Sequence, residues 1–400
     1  MSAQARRFAA AFASAAYSNE SRRSAAPADL RVPMVNLAAL LQATGPAWRR
    51  NLETLFAGMQ FVLGEQVEAF EREFAAALGA KHVVGVGSGT AAVELGLRAV
   101  GVSGREQEVV TSVLTSPFTA VAICSAGAKP VFADVDPERL LMDPEDAANR
   151  ITSRTAAIVP VHLYGQVCDL GRLRALAKTA RVALVQDACQ AHGAGFQGRA
   201  LSDFSGPVAY SFYPTKNLGC LGDGGAIATR SAKLAAKLRI LRDGGRRRDQ
   251  VSRCPSVNSR LDELQACFLR AFLPRLEEWN SRRARLAALY DEALSMCPAV
   301  RSVPRGADSV NHLYVVRVPR RDRLRAYLAQ HGIASAVHYA VPLHLHPAFA
   351  EFGQGAYPRA ERACREILSL PLWPHMADSA VLAVAAHVRQ FFVHAGPPRR

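Results

Sequence analysis

The stretch Ser211-Phe212-Tyr213-Pro214-Thr215-Lys216-Asn217-Leu218-Gly219 places one lysine among small and polar residues, directly after the strand-like run 208–211. A second segment, Ala183-Leu184-Val185-Gln186-Asp187, is a short apolar run that ends in an acid. In open α/β sheets, ligands bind at the carboxyl ends of the strands. The sequence therefore predicts that Lys216 and Asp187 belong to one site on such a sheet.

This pair of residues predicts pyridoxal 5'-phosphate (PLP) as the cofactor. A lysine amine condenses with the PLP aldehyde to a Schiff base, and a carboxylate keeps the pyridine nitrogen protonated, so that the ring accepts electrons. The lysine ammonium group also loses its proton readily in a desolvated site. The next lysine is Lys233, so Lys216 is the predicted Schiff-base residue. Asp187 is the predicted partner of the pyridine nitrogen, and its alternative is an ordinary helix N-cap.

Short β-rich runs alternate with helical periodicity along the chain, which is typical of a parallel α/β sheet. The run Val83–Val86 predicts a strand that leads into a helix. The amphipathic pattern over Leu261–Cys297 predicts one long helix that leaves the main domain. Beyond it we expect a smaller α+β unit with strands near His312–Val318 and Ser335–His338.

Several further blocks resemble one known family in order and spacing. They are Gly89-Thr90-Ala91-Ala92, Gly127-Ala128-Lys129-Pro130-Val131-Phe132, Val161-His162-Leu163-Tyr164-Gly165, Asp187-Ala188-Cys189-Gln190-Ala191-His192-Gly193, the Lys216 segment, Gly222-Asp223-Gly224-Gly225 and Asn258-Ser259-Arg260-Leu261-Asp262-Glu263-Leu264-Gln265-Ala266. Together they resemble the DegT/StrS family of PLP-dependent sugar aminotransferases, from about Val32 to about Val388.

The resemblance implies the fold. This is the PLP-dependent transferase fold type I, which is aspartate aminotransferase-like, of the α/β class. A large PLP-binding domain with a mostly parallel central sheet is expected over residues 32–280, and a small C-terminal α+β domain over residues 281–400. Residues 1–31 are rich in Ala, Ser and Arg. They have the composition of a transit peptide, but we expect a disordered extension.

The resemblance also implies cofactor-binding residues besides Lys216 and Asp187. The phosphate is expected at Gly89 and Thr90, where backbone N–H groups of a helix N-terminus and a small hydroxyl coincide. Ser211 corresponds to a second phosphate ligand of the family. Gln190 corresponds to a residue that hydrogen-bonds the phenolic oxygen of PLP.

Two further residues are implied at the edges of the site. Asn258 corresponds to a family residue that reaches the phosphate of the neighbouring subunit, which implies a homodimer with shared active sites. His338 lies in a segment that the family places near the sugar nucleotide, although a lone histidine is more often structural. His162 and His192 lie inside family blocks, and we expect them to support packing.

One position departs from the family pattern. The family stacks an aromatic residue on the cofactor ring just after a threonine, and here Thr115 is followed by Ser116, with Phe118 two positions later. Two alternatives remain open: Phe118 covers the ring through a local shift, or the ring is less tightly enclosed. The departure concerns cofactor affinity and substrate choice, not the reaction class.

The predicted activity is transamination in two half-reactions. The resemblance implies glutamate as the amino donor and a keto sugar, linked to a nucleoside diphosphate, as the acceptor. Cyclitols and other cyclic ketones are the alternative acceptors, and the sequence does not specify the sugar or the carbon. Family dehydratases have histidine at the lysine position, so Lys216 argues against that activity.

A nicotinamide-dependent oxidoreductase is the alternative from another enzyme class. The segment Gly87-x-Gly89-x-x-Ala92 after a strand loosely fits a dinucleotide fingerprint. The match lacks an acid at the end of the second strand and leaves Lys216 unexplained. A regulatory or nucleic-acid-binding role is motivated by the net charge of +15 alone. That charge is dispersed, apart from Arg246-Arg247-Arg248, so we expect no nucleic acid as a partner.

The cysteines and the apolar runs bear on metal binding, compartment and membrane association. Eight cysteines are scattered without a Cys-x-x-Cys pair, so no metal site is expected. Scattered cysteines in apolar surroundings favour a reducing compartment, and we expect the cytoplasm. No apolar run approaches the roughly 20 residues of a membrane span, so no membrane association is expected.

Overall fold

The computed structural model describes residues 32–247, 249–353 and 355–394. The predicted extension over residues 1–31 and Arg248 of the arginine cluster lie outside the described residues. Among the helices described, none combines the length and apolar character that crossing a membrane requires.

A mixed β-sheet forms the centre of the larger part of the chain. Its strands are β1 His82–Val86, β2 Glu108–Ser112, β3 Lys129–Ala133, β4 Thr155–Val159, β5 Ala183–Leu184, β6 Gln186–Asp187, β9 Val208–Ser211 and β10 Gly225–Thr229. One piece has the order β3-β2-β4-β5 and the other β6-β9-β10-β1. The pieces meet at β5 and β6, which are separated only by Val185, so they form one continuous sheet.

Strand direction confirms that the sheet is mostly parallel. The pairs β2–β3, β2–β4, β4–β5 and β6–β9 are parallel, whereas β10 runs antiparallel to both of its neighbours, β9 and β1. Strand β1 therefore lies at the edge of the sheet, beside an antiparallel strand. A dinucleotide fingerprint belongs after the first strand of a parallel βαβ unit, so the oxidoreductase alternative was wrong about this segment.

Helices cover both faces of the sheet. The helices of this part are α1 Leu37–Gly58, α2 Glu65–Ala77, α3 Gly89–Ala99, α4 Pro117–Ser125, α5 Pro144–Asn149, α6 Leu170–Ala180, α7 Ala232–Leu241 and α8 Glu263–Phe272. Successive side chains of a strand point to opposite faces. Accordingly, Val83 belongs to the core beneath α2 and α8, and Val84 to the core beneath α3 and α7.

The C-terminal part has its own sheet and core. Antiparallel strands β11 Arg301–Ser302, β12 Tyr314–Arg317 and β13 Ile367–Leu370 form the sheet. The helices are α9 Leu276–Leu294, α10 Arg321–Gln330, α11 Pro358–Glu366 and α12 Asp378–His394. Helix α9 contributes Leu276 and Trp279 to the core of the large sheet, and Leu286 and Tyr290 to the C-terminal core. The proposed domain boundary at residue 280 thus falls inside α9.

Short elements complete the described chain. They are the hairpin β7 Gly195–Phe196 and β8 Arg199–Ala200, and the 3₁₀ turns Leu163–Gly165, Leu201–Phe204, Leu273–Arg275, Leu343–Leu345 and Pro347–Phe352.

Two local predictions were wrong. The long helix expected over Leu261–Cys297 is divided into α8 and α9 by a 3₁₀ turn that contains Pro274, because proline lacks the N–H that a continuous helix needs. The segment Ser335–His338 forms no strand and contributes only a single bridge, from Ala336 to Ser369. The strand predicted over Val83–Val86 and the helix after it are confirmed as β1 and α3.

Candidate active site

Lys216 lies in the turn that follows β9. Its backbone N–H donates to the carbonyl of Tyr213 (2.9 Å). Across the described residues, the amine makes no hydrogen bond or ion pair, although part of the residue is accessible from the cleft. Burial lowers the pKa of the Lys216 amine, against the opposing influence of Cys189 and Asp187 nearby. The structure thus provides an amine that is unengaged and poorly solvated.

Asp187 ends strand β6 and is buried. Its Oδ2 accepts a hydrogen bond from Thr119 Oγ1 (2.9 Å) and its Oδ1 accepts one from the backbone N–H of Cys189 (3.1 Å). Thr119 lies 3.3 Å from Thr115, hydroxyl to hydroxyl. The carboxylate is therefore fixed in orientation close to Lys216. Thr119 was not predicted from the sequence, because its role depends on α4 packing beside β6.

The start of helix α3 lies against the end of β9. Ser88 caps the helix through a hydrogen bond from the N–H of Ala91 to its Oγ (3.1 Å). A Cβ atom at Gly89 would lie 2.5 Å from Cβ of Ser211 and 2.9 Å from Sγ of Cys189. Only glycine allows this approach, which brings Gly89 and Ser211 together as predicted. Thr90 follows as the second residue of the helix.

Gln190 is buried beside Asp187, and its amide is held at both ends. Its Oε1 accepts from the backbone N–H of Tyr164 (2.7 Å), and its Nε2 donates to the hydroxyl of Tyr339 (3.2 Å). Burial, the largest influence, raises the pKa of Tyr339 to about 12, while hydrogen bonds with Ser116 and Gln190 oppose it. Tyr339 was missed because it comes from the C-terminal part, far away in sequence.

His338 also faces the lysine from the C-terminal part. Its Nδ1 lies 2.9 Å from Oγ of Ser369, and its carbonyl accepts a hydrogen bond from the hydroxyl of Tyr164 (2.5 Å). Burial, together with the positive charge of Lys216, lowers the pKa of His338 to about 4. The imidazole is therefore neutral at neutral pH, and the structure brings this predicted residue to the same cleft.

Two more histidines border the lysine. Nε2 of His192 lies 2.7 Å from the carbonyl of Ser211, while its buried Nδ1 has no hydrogen-bond partner among the described residues. Burial and then Lys216 lower its pKa to about 3. His312 lies 3.0 Å from Oδ1 of Asn217, and burial followed by Lys216 lowers its pKa well below the usual value. His312 and Asn217 were not predicted from the sequence.

His162 lies deeper in the fold. It is fully buried, and its Nε2 is 3.1 Å from Oε1 of Gln186. Burial lowers its pKa to about 4, although contacts with Gln186 and Asp187 oppose the shift. This environment is that of a packed core histidine.

Asn258 lies at the surface, outside this cluster. It is exposed and forms a β-bridge with Asp243. The next residue, Ser259, accepts a hydrogen bond from the N–H of Gly87 (3.0 Å). The block that contains Asn258 thus contacts the loop before α3, while Asn258 itself faces outward.

The position that departs from the family pattern is polar here. Ser116 caps helix α4 and interacts with the hydroxyl of Tyr339. Phe118 remains 64% exposed. The aromatic ring that approaches Ser116 from the cleft is therefore that of Tyr339, whereas Phe118 points toward the surface.

The described residues fit the PLP predicted from the sequence. The amine of Lys216 has no competing partner, and the carboxylate of Asp187 is already oriented. The first N–H groups of α3, those of Gly89 and Thr90, have no acceptor within the helix, and such an N-terminus binds phosphate. Within the part of the chain that the structure describes, no group of His, Cys, Asp and Glu forms a metal site.

Known proteins resemble this chain over most of its length. Residues 45–389 match the DegT/DnrJ/EryC1/StrS aminotransferase family. The chain is 41% identical over 366 residues to the dTDP-3-amino-3,4,6-trideoxy-alpha-D-glucose transaminase of Streptomyces venezuelae, covering 90% of this chain and 96% of that protein. It is 39% identical over 371 residues to the pleiotropic regulatory protein of Geobacillus stearothermophilus, covering 91% and 100%.

A solved structure shows the same architecture. The crystal structure of S. venezuelae DesV superimposes with a TM-score of 0.87 at 40% sequence identity, covering 90% of this chain and 98% of DesV. The predicted type I fold, with its α/β part and its C-terminal α+β part, is confirmed by this match.

Proposed function

The chain belongs to the DegT/DnrJ/EryC1/StrS aminotransferase family, and from this premise we propose that it transfers the amino group of glutamate to a keto sugar carried on a nucleoside diphosphate. That it is an aminotransferase follows from the family. The proposal adds the donor, the acceptor and the residues that act. One observation carries it: the unengaged amine of Lys216 lies beside the oriented carboxylate of Asp187.

We propose that PLP is held by residues from several elements. Lys216 anchors it covalently, Asp187 contacts its pyridine nitrogen, and Gly89, Thr90 and Ser211 hold its phosphate. When bound, PLP supplies an electron sink that stabilises negative charge at the reacting carbon. Gln190 is presented to the same cofactor, and its amide, fixed by Tyr164 and Tyr339, keeps a defined orientation.

Lys216 also moves the protons of the reaction. With cofactor and donor bound, Nζ would accept the proton lost from Cα of the amino-acid donor. In the second half-reaction, Nζ would give a proton to the former keto carbon of the sugar. A general base works best when its pKa lies near the working pH, and burial lowers the pKa of Lys216 in that direction.

The neutral histidines around the lysine support this role. His192 and His338 have pKa values of about 3 and about 4, which burial lowers first and Lys216 second. At neutral pH both imidazoles are therefore uncharged, and they are too weakly basic to take a proton in place of Lys216. His338 is the proposed contact for the sugar nucleotide, because it reaches the cleft from the C-terminal part.

The relative from S. venezuelae supports the acceptor class, since it is a dTDP-sugar transaminase by name. The net charge of +15 suits an anionic substrate, because a positive field raises the encounter rate of a diphosphate.

We propose that two copies of the chain complete the site. Asn258 is exposed beside the loop before α3. Three large apolar side chains around the site are 53%, 40% and 64% exposed, namely Tyr213 and Leu221 in loops and Phe118 in the first turn of α4. A homodimer would cover these side chains and bring Asn258 to the partner's phosphate. We also propose the cytoplasm as the compartment, which the eight unpaired cysteines support.

The test is a spectroscopic and product assay of the purified protein with PLP. Glutamate should shift the visible absorption band of the bound cofactor, and a panel of nucleotide-linked keto sugars should restore it. Transfer of ¹⁵N from labelled glutamate identifies the product. Cyclic ketones form the second arm, so restoration by a cyclitol ketone alone would reject the sugar acceptor. A spectrum that glutamate leaves unchanged would reject the donor.

A further inference from the structure

A separate cavity of about 700 Å³ lies in the C-terminal part of the chain. Its walls come from the segment that follows α9, from β11, from the end of β12, and from the last turns of α11 and α12. None of the residues placed at the Lys216 site lines it. The volume is within the range of small-molecule sites, about 300–1,000 Å³.

Arginine dominates the charge of this cavity. The charged residues of its lining are Arg301, Arg317, Arg320, Arg362, Arg389 and Glu366. Among the described lining residues, guanidinium groups therefore outnumber carboxylates. A concave surface with this excess of positive charge attracts anions.

The single carboxylate is already shared. Glu366 accepts hydrogen bonds from Arg317 (2.9 Å) and Arg362 (2.8 Å), and Arg301 lies 3.8 Å away. Burial would raise its pKa, but the hydrogen bonds from Arg362 and Arg317 lower it, so Glu366 is ionised at neutral pH. It pairs best with Arg317 and Arg362, which leaves the charge of Arg301 largely uncompensated.

Among the described residues, no acid pairs with Arg389 either. Arg389 donates to the carbonyl of Ala293, which is a neutral acceptor. The side chain of Arg301 is 64% exposed. Guanidinium groups bind phosphate through paired, charge-assisted hydrogen bonds. Arg301 and Arg389 are therefore the groups most available to an incoming phosphate.

The same cavity has an apolar wall. Met296 and Val393 are 87% and 77% exposed, and Phe392 lines the cavity beside them. Water-exposed apolar side chains next to arginines suit a ligand that combines a polyanion with a planar, weakly polar ring. Inorganic phosphate alone would leave this wall uncovered.

We propose that the cavity binds a nucleoside di- or triphosphate, with the phosphates on Arg301 and Arg389 and the base against Met296 and Val393. This site is distinct from the one at Lys216 and does not depend on the acceptor proposed above. Glu366 limits the affinity, because it holds two of the arginines and repels the phosphates.

The test is calorimetric titration of the PLP-loaded full-length protein with ADP. We expect Arg301→Gln and Arg389→Gln each to weaken ADP binding about tenfold, and Glu366→Gln to tighten it several-fold. The tightening is diagnostic, because a purely structural role of Glu366 would produce only loss. Adenosine should not bind, and pyrophosphate should bind more weakly than ADP.

Arg285→Gln is the matched control, since Arg285 is a similarly exposed arginine of the C-terminal part that pairs with Asp378 outside the cavity. The Arg285→Gln variant should bind ADP as tightly as the unmodified protein, and all variants should retain transaminase activity. The proposal is overturned if ADP does not bind, or if the Arg301→Gln, Arg389→Gln double variant binds ADP as well as the control. Equal binding of pyrophosphate and ADP would overturn the role of the apolar wall.

Discussion

The ionisable groups inside this protein are fully hydrogen-bonded in one region and lack described hydrogen-bond partners in another. Glu263, at the start of α8, accepts hydrogen bonds from the backbone N–H groups of Gly64 (2.7 Å), Gln66 (2.8 Å) and Val67 (3.2 Å). Gly64 has no side chain with which to cap α2, so this carboxylate caps the helix from another part of the chain. At the other site, no described residue hydrogen-bonds the amine of Lys216.

The difference separates stability from chemistry. A buried carboxylate that accepts three N–H groups stabilises the fold, because removing it leaves donors unpaired. An amine without a partner contributes nothing comparable to stability, yet it is available to a substrate. His192 shows the same pattern, since its buried Nδ1 finds no hydrogen-bond partner in the part of the chain that the structure describes. We therefore expect substitution of Lys216 to abolish activity without unfolding the protein. Substitution of Glu263 should lower the stability of the fold and leave the activity of the folded molecules nearly unchanged.

The largest expected effect is that of Lys216→Ala. Because one amine serves as anchor and as proton carrier, transamination should fall by at least about four orders of magnitude, while the urea midpoint stays nearly unchanged. Lys233→Ala, which removes the next lysine along the chain at an exposed position, is the control and should be fully active. Loss of folding in Lys216→Ala would contradict the separation of the two regions.

Asp187→Asn should have the next largest effect. The amide oxygen can still accept the hydrogen bond from the backbone N–H of Cys189, but an amide cannot hold a ring nitrogen protonated, so the rate should fall roughly a thousandfold. PLP should remain bound. Asp169→Asn is the control, since Asp169 caps helix α6 (Oδ1 to the N–H of Arg172, 3.0 Å). Near-normal turnover in Asp187→Asn would show that the acid only holds the local hydrogen bonds with Thr119 and Cys189.

Glu263→Ala tests the satisfied region. Leaving three buried N–H groups without their acceptor should lower the free energy of unfolding by about 3 kcal/mol. Activity per folded molecule should change little. Urea denaturation measures the loss, and Glu277→Ala, at an exposed position on α9, should stay within about 0.5 kcal/mol. An unchanged midpoint in Glu263→Ala would mean that water replaces the carboxylate.

The smallest expected effect is that of Asn258→Ala, because the side chain of Asn258 is exposed in the single chain. If it donates to a phosphate in the partner subunit, its loss should weaken PLP retention about tenfold, whereas exposed Asn149→Ala should not. Mixing Lys216→Ala and Asn258→Ala chains should form heterodimers with one intact site, and so recover activity. No recovery on demonstrated mixing would show that each chain completes its own site.

Much of the site was predictable because it is local in sequence. Lys216 follows a strand, Asp187 ends one, and the sequence before Gly89 predicts a helix N-terminus. The ends of the strands are therefore enough to bring these residues to one edge of the sheet. Conformation at a proline is equally local, yet the break at Pro274 was missed because the apolar periodicity continues across it.

The partners contributed by the C-terminal part were not predictable. Tyr339 reaches Gln190 across 149 positions, and His312 reaches Asn217 across 95. No local pattern marks such contacts, because they depend on how two sheets that are far apart in sequence pack against each other. The same reason explains Thr119, whose hydroxyl is aligned with Asp187 only when α4 lies beside β6.

The central claim is that the unengaged amine of Lys216 holds the cofactor, and reductive trapping tests it most directly. The protein loaded with PLP is treated with borohydride, digested and analysed by peptide mass spectrometry. The account predicts a single reduced pyridoxyl adduct on the peptide that contains Lys216, and none in Lys216→Ala. An adduct on another lysine, or no adduct in a protein that transaminates, would contradict it.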